Sequence, residues 1–192
     1  NVHPLVALAA WKTGRPVAYA YSRSESMAAS TKRHPAQVTV MAACDAQGRL
    51  TAFWSRAELD TGAYASWGPT VANRVPVHAS GPYLVPNAAT CGTAYFTNAP
   101  PSGAFRGFGV PQAAIAHECL MDDLAEALGL DRWAIRRLNA LGSGDRTPSG
   151  QVLAHSAGLP ECLDALKDDW ATALADAATH KASEPRRRRG VG

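Results

Sequence analysis

Charged residues are scarce. Asp, Glu, Lys and Arg make up 18% of the 192 residues, against about 25% in ordinary soluble domains. So lean a surface hints that part of it is covered by something else. Positive charge is also thinly spread: the formal charge is +3, and Arg186, Arg187, Arg188 and Arg189 alone supply four cations. Without them the body is close to neutral. A nucleic-acid binder needs a basic patch on a folded face, so no nucleic-acid partner is expected. Residues 183–192 read as a basic linker.

Cysteine is sparse too. Cys44, Cys91, Cys119 and Cys162 form no CxxC pair, which removes support for zinc fingers, redox dithiols and cysteine-ligated iron–sulfur clusters. Buried thiols in a reduced compartment are the expectation. There is no run of 18 apolar residues and no basic, apolar leader, so no membrane span is expected and the protein reads as soluble and cytoplasmic. An opening without methionine at Asn1 and a stop at Gly192 read as cut ends. Apolar residues, by contrast, are plentiful at 46%. A chain this long buries roughly 70% of its unfolded surface, and general disorder is excluded.

Residues 1–182 read as a single α+β segment: mixed or antiparallel strands first, helices second. The run Pro4 to Lys12 predicts a helix with Leu5, Leu8 and Trp11 on roughly one side, ended at Gly14. Val17, Tyr19 and Tyr21 alternate as in a half-buried strand. Ser22 to Ser30 suits a short helix capped by Ser22 or Ser24. Val38 to Cys44 and Arg49 to Asp60 flank the turn Asp45-Ala46-Gln47-Gly48 as a hairpin. Its second arm alternates imperfectly, so either both faces are covered or a bulge switches them. Gly68 to His78 is compatible with a helix, and Ala88 to Thr97 with a strand. From Pro111 the period is helical, with Ala113, Ala116, Leu120, Leu124 and Ala127 as the inward stripe. Asp131 caps a second helix facing inward through Ala134, Leu138 and Leu141. Leu159, Leu163, Leu166, Trp170 and Leu174 predict one long final helix.

The segment with the strongest chemical character is Asn98 to Gln112, between a strand and a helix. Gly107 and Gly109 permit positive φ or a ligand close to the main chain, and amides entering the following helix suit an anion or an oxo group. Arg106 either reaches a phosphate or ties the loop to a carboxylate. Phe105 and Phe108 either wall a flat substrate or pack the turn. Lys32-Arg33-His34-Pro35 is a compact basic corner, most simply a solvated turn. Asp60-Thr61-Gly62 lacks the second carboxylate triplet that an acid protease pair needs. Arg74 interrupts the apolar run Val71 to Val77, as a site residue or as half of a core salt bridge. His78, His117 and His155 have no metal-site spacing, and no metal-ligating side chain is assigned.

Gly103-Ala104-Phe105-Arg106-Gly107-Phe108-Gly109-Val110-Pro111-Gln112 resembles the F-R-G-F-G-x-P-Q loop of the molybdenum-cofactor-binding large subunits of the xanthine dehydrogenase and aldehyde oxidase family. Other landmarks follow in the same order: Lys12 to Val17, Ser22 to Met27, Lys32 to Pro35, Asp60 to Tyr64, Gly81-Pro82-Tyr83, Arg136 to Asn139 and Thr147 to Gln151. The resemblance covers essentially the whole chain.

It implies an oxidoreductase that hydroxylates an N-heterocycle or an aldehyde with oxygen from water. The cofactor implied is molybdenum-molybdopterin, with electrons passed to [2Fe-2S] and FAD groups on partner subunits or domains. It also implies that Phe105, Arg106 and Gly107 lie on the cofactor, that Phe108 packs against the substrate ring, and that Arg74 orients substrate and offsets charge. Asn73 stands where the family carries an acidic residue. The family's first glycine-rich molybdenum loop and its general-base glutamate are absent from these residues and are expected in the remainder of the large subunit. The chain is therefore expected to be inactive alone, as part of a catalytic subunit. The alternative is a non-catalytic binding or assembly module built on the same body.

Overall fold

The computed structural model describes residues 2–183, 186–187 and 189–192; the linker expected at 183–192 thus lies partly outside the described residues. Two short helices come first, α1 (His3–Thr13) and α2 (Arg23–Ala29). The Ser22 hydroxyl accepts from the Glu25 amide and the Glu25 carboxylate accepts from the Ser22 amide, a reciprocal capping box that starts α2. Strands β1 (Ala36–Cys44) and β2 (Leu50–Gly62) form the expected antiparallel hairpin. Asp45 Oδ1 accepts from the amides of Gln47 and Arg49, and Gly48 supplies a φ of 87°. A bulge beside Ala43 and Cys44 turns Leu50 and Phe53 to the same side, which explains the broken alternation.

β2 then feeds α3 (Gly68–Val77), which returns to β3 (Ala88–Phe96) parallel to β2. Parallel strands require such a crossover, so the sheet is mixed, in the order β1-β2-β3. The protein is α+β. Helix α3 covers β2 and β3, and α4 (Val110–Leu128) covers β1. Their shared face is apolar: Ala57 and Leu59 of β2 meet Val71, Ala72 and Val75 of α3 and Ala113 of α4. Further along, Leu50 and Phe53 pack with Tyr83, Met121, Ala125 and Ile135. α5 (Arg132–Asn139) starts at Asp131, whose carboxylate accepts from the amides of Trp133 and Ala134.

Several expectations are corrected. Residues 16–21 form no strand: no neighbouring backbone pairs with them, and an isolated extended segment has no ladder to hold it. The buried stripe of α4 is Ala113, His117, Met121 and Ala125. His117 Nδ1 lies 3.1 Å from the Ala79 carbonyl, so a satisfied histidine takes the place expected of an alanine. In α5 the fully buried positions are Ile135 and Asn139 rather than Ala134 and Leu138. The final helix is two, α6 (Leu159–Ala165) and α7 (Lys167–Ser183), broken at Leu166, where the amide turns back to Leu163 O. Cys91, Cys119 and Cys162 are exposed and Cys44 is half-buried. Among the described residues no helix is long and apolar enough to cross a membrane.

Asn139 joins the helical half to the hairpin. Its Oδ1 accepts from the Leu50 amide at 2.8 Å, and its Nδ2 donates to Gly48 O and Ile135 O, both at 2.9 Å. Asn139→Ala leaves a buried amide and carbonyls unpaired, at about 1–3 kcal/mol per group. A loss of roughly 3 kcal/mol in unfolding free energy is expected, which lowers Tm by roughly 6–12 °C at this chain size. Thermal unfolding of the chain tests this; a shift below about 2 °C would show that α5 is held to the hairpin by apolar packing alone.

Candidate functional site

The loop between β3 and α4 carries an unusual backbone. Gly107, Phe108 and Gly109 have φ values of 88°, 50° and 97° in succession. Left-handed geometry is ordinary for glycine, but for a bulky residue it costs roughly 1–3 kcal/mol and persists only where the surroundings enforce it. Two backbone bonds do so, Phe108 N to Phe105 O at 2.8 Å and Val110 N to Gly107 O at 2.9 Å. Gly109 also lies so close to α3 that a Cβ would stand 2.9 Å from Val71 O and 3.2 Å from Val75 Cγ2. The Phe108 ring packs on the core cluster around Val71 and Val75. It meets Trp67 edge-on, with centroids 5.9 Å apart at 68°.

The basic corner holds this loop. Arg33 Nη2 donates to Arg106 O at 2.6 Å and its Nη1 to Gln112 Oε1 at 3.4 Å, while its guanidinium sits 4.7 Å from the Phe105 ring centre. Gln112 Nε2 donates to His34 O, and Gly103 N donates to Lys32 O. Reading residues 32–35 as a solvated turn is therefore corrected: His34 is 2% exposed, and burial pushes its imidazole pKa down against the pull of the Asp60 charge. The base of the loop is pinned by Ser102 N to Thr61 O and Ala63 N to Ala99 O. Asp60 is occupied structurally, since its Oδ1 accepts from Thr97 Oγ1 and from the Gly62 amide.

The amides of residues 104–107 and of Gly109 donate to no acceptor among the described residues. Ala104, Phe105, Arg106 and Gly107 are all exposed. Unpaired amides with Arg33 and Arg106 alongside favour an anionic or oxo-bearing group. Arg74 is exposed on α3 with no ion pair among the described residues, so the core salt bridge is excluded. On α3 it lies at the exposed margin of the face whose buried residues are Val71, Ala72 and Val75. It nevertheless shares a row with Trp67 and Val71, at spacings of four and three residues, and Val71 touches the loop. Among the described residues no group of three or more His, Cys, Asp or Glu side chains is placed to hold a metal ion.

A second polar cluster lies under α4. Glu118 accepts from Tyr83 Oη and Arg136 Nε, both at 2.8 Å. Burial pushes the Glu118 pKa up, but bonds from His117, Arg136 and Tyr83 outweigh it and hold it at about 2. Burial, then the Glu118 charge, raises the Tyr83 pKa. This cluster ties α4 to α5 and to Tyr83, and among the described residues it shares no hydrogen bond or ion pair with the loop at 103–109.

Comparison with known proteins gives the same direction. A family model described as the molybdopterin cofactor-binding domain matches residues 1–140. The chain is 47% identical over 162 residues to the nicotinate dehydrogenase large molybdopterin subunit of Eubacterium barkeri, covering 84% of this chain and 38% of that protein. To a probable xanthine dehydrogenase subunit from Bacillus subtilis it is 40% identical over 166 residues, covering 86% and 22%. It superposes on the aldehyde oxidoreductase of Desulfovibrio gigas with a TM-score of 0.83 and 36% identity, over 93% of this chain and 20% of that one. The chain thus spans between about a fifth and two fifths of these relatives' own lengths.

Proposed function

Because this chain belongs to the molybdopterin cofactor-binding domain family, that of the large subunits of xanthine dehydrogenases and aldehyde oxidases, we propose that it forms one wall of a molybdenum hydroxylase active site. One observation carries the reading: a loop with three consecutive left-handed residues, clamped by Arg33, in which the exposed residues 104–107 have no acceptor for their amides among the described residues. That donor set, with no carboxylate bonded to residues 103–109 among the described residues, fits an anionic pterin and an oxo-bearing metal. The cofactor, when bound, would supply the two-electron oxidation in which substrate R–H and water give R–OH, two electrons and two protons.

The chain's own residues position the reactants. The backbone amides of Phe105, Arg106 and Gly107 would hold the cofactor. Phe108, fixed by its packing, orients the substrate ring. Arg74 meets negative charge that develops on the substrate. The proton acceptor and the remaining pterin contacts belong to the rest of the large subunit, and the electrons leave through [2Fe-2S] and FAD partners. Relatives named for nicotinate, xanthine and aldehydes support an N-heterocycle or an aldehyde as substrate.

The test is to produce the full large subunit with its iron–sulfur and flavin partners. The parent should carry molybdenum and pterin and should place 18O from labelled water in its product. Gly107→Val should lose most of the molybdenum, because a β-branched residue opposes φ 88° and its Cβ would stand 2.5 Å from Pro111 Cγ. A folded, partner-bound parent without molybdenum would overturn the reading in favour of an assembly module.

A further inference from the structure

The four residues Lys32 to Pro35 send a bond to each element around the loop. Gly103 N donates to Lys32 O, Arg33 Nη2 to Arg106 O and Gln112 Nε2 to His34 O, so this corner holds both the loop and the first turn of α4. Asp60 N donates to Pro35 O at 2.9 Å, which holds the end of β2 to the same corner. The far end of the loop rests on α3, where Gly109 is packed against Val71 O and Phe108 against the Val71 and Val75 cluster. Corner, loop, α3 and the end of β2 thus form a closed circuit of contacts.

The His34 side chain stands where that circuit closes. Its Nε2 lies 3.5 Å from Thr61 Oγ1, and both residues are 2% exposed. A Cβ on Gly68, the first residue of α3, would stand 2.1 Å from Thr61 Oγ1 and 3.6 Å from His34 Nε2. Ring, hydroxyl and helix start are therefore packed at one point. Thr61 Oγ1 also lies 3.2 Å from Ala65 O, and a carbonyl only accepts. The hydroxyl proton goes to Ala65, so the imidazole is the donor to Thr61, from Nε2. The carbonyl of Thr61 in turn accepts from Ser102 N at the base of the loop. A phenylalanine would fill the same space, but it could not donate to Thr61.

We infer that His34 is a positioning residue of the proposed reaction: its imidazole, packed between Thr61 and the start of α3, keeps α3 in register with the cofactor loop. This rests on the proposed function, since α3 carries Arg74 and supports Phe108. Buried as it is, the ring is not offered to substrate or cofactor. It acts through Thr61 and Gly68 on one side, and the His34 carbonyl acts through Gln112 on the other. Loss of the donor loosens the turn from Thr61 into α3, and α3 shifts against the loop while the loop itself stays clamped by Arg33.

The experiment uses the complete enzyme carrying His34→Phe, His34→Gln, Thr61→Val, or His34→Phe and Thr61→Val together. Each is characterised by rapid-kinetic reduction over a range of substrate concentrations, by molybdenum assay and by thermal unfolding. His34→Phe should lower the limiting reduction rate on the order of tenfold, while substrate Kd and molybdenum content stay near the parent's. His34→Gln returns an N–H donor to the same place and should recover most of the rate, whereas a role in filling volume would favour His34→Phe. Thr61→Val should slow reduction by a similar factor, and the double variant should be no slower than the slower single one, because both remove one contact. Should His34→Phe fail to fold, Thr61→Val decides, and a full limiting rate there overturns the inference. An undiminished rate in His34→Phe, a His34→Gln as slow as His34→Phe, or losses that multiply in the double variant overturn it too and leave the proposed function standing. A parent enzyme without molybdenum defeats the proposed function and this inference together.

Discussion

Arg33→Met should lower the limiting rate of enzyme reduction by substrate about a hundredfold in the complete enzyme, with little loss of global stability. The guanidinium makes two contacts with the loop, the Arg106 carbonyl at 2.6 Å and the face of Phe105 at 4.7 Å, and a third with the Gln112 side chain in the first turn of α4 at 3.4 Å. A charged hydrogen bond contributes about 1.5–3 kcal/mol and an exposed cation–π contact about 0.5–1 kcal/mol. The strain at Phe108, roughly 1–3 kcal/mol, is of the same size as what the clamp supplies. Removing the clamp leaves two short backbone bonds and the packing of one ring to oppose that strain, so the loop relaxes. A displacement of about 1 Å at reacting atoms can cost about a hundredfold in rate.

Methionine keeps the length and apolar stem of arginine, so a loss of rate reports the missing head group rather than missing volume. Arg33→Lys should fall between the two, since an ammonium can serve one acceptor but cannot fork across two or stack on a ring in the same way. Stopped-flow reduction, molybdenum assay and thermal unfolding on the same samples separate the possibilities. Full molybdenum content with an undiminished reduction rate would show that the loop holds its shape without Arg33.

Arg33 also shows where the sequence stops being informative. Its contact with Arg106 spans 73 positions, and no local pattern announces a bond of that range. What is local is legible: a helix cap at Ser22 or Ser24, which the structure places at Ser22, the Asp45 turn, the Asp131 cap, and the α+β order of strands before helices. The glycines at 107 and 109 pointed to positive φ, and the structure has it at both. Phe108 sharing that conformation was not legible, because nothing in a phenylalanine between two glycines says which residues will enforce it. Alternation at Val17, Tyr19 and Tyr21 suggested a strand, but a strand needs a partner that residue types alone do not disclose. Arg74 shows the same limit: a charge within an apolar run reads as buried, yet it sits exposed at the margin of the α3 face that buries Val71, Ala72 and Val75. The Trp67–Phe108 pair is equally silent in the sequence, because a lone aromatic before a Gly-Pro pair carries no local signal.

Arg74→Ala and Phe108→Ala should fail differently in the complete enzyme, and the contrast decides whether α3 belongs to the active site. Arg74 has no ion-pair partner among the described residues and lies on the row of α3 that includes Trp67 and Val71, so its charge is available rather than neutralised internally. If it meets negative charge that builds on a heterocycle only as the bond to oxygen forms, its loss falls on the transition state. The limiting reduction rate should then drop on the order of a hundredfold or more while substrate affinity changes little. On the proposed function, Phe108 acts in the ground state as well. Its ring is a fixed apolar surface resting on the Val71 and Val75 cluster, so truncation should weaken binding and also misplace the reacting carbon. On that reading neither side chain would hold the cofactor, and molybdenum content should stay at the parent's level in both variants. Arg106→Ala is the contrast, because it removes a cation from the exposed stretch 104–107 whose amides have no acceptor among the described residues. It should lower cofactor occupancy. The measurement is rapid-kinetic reduction across several substrate concentrations, with molybdenum determined on the same preparations. If Arg74→Ala keeps the full limiting rate on every heterocycle that the parent oxidises, Arg74 is a solvated cation on the outer face of α3. Charge stabilisation must then come from a residue elsewhere in the large subunit.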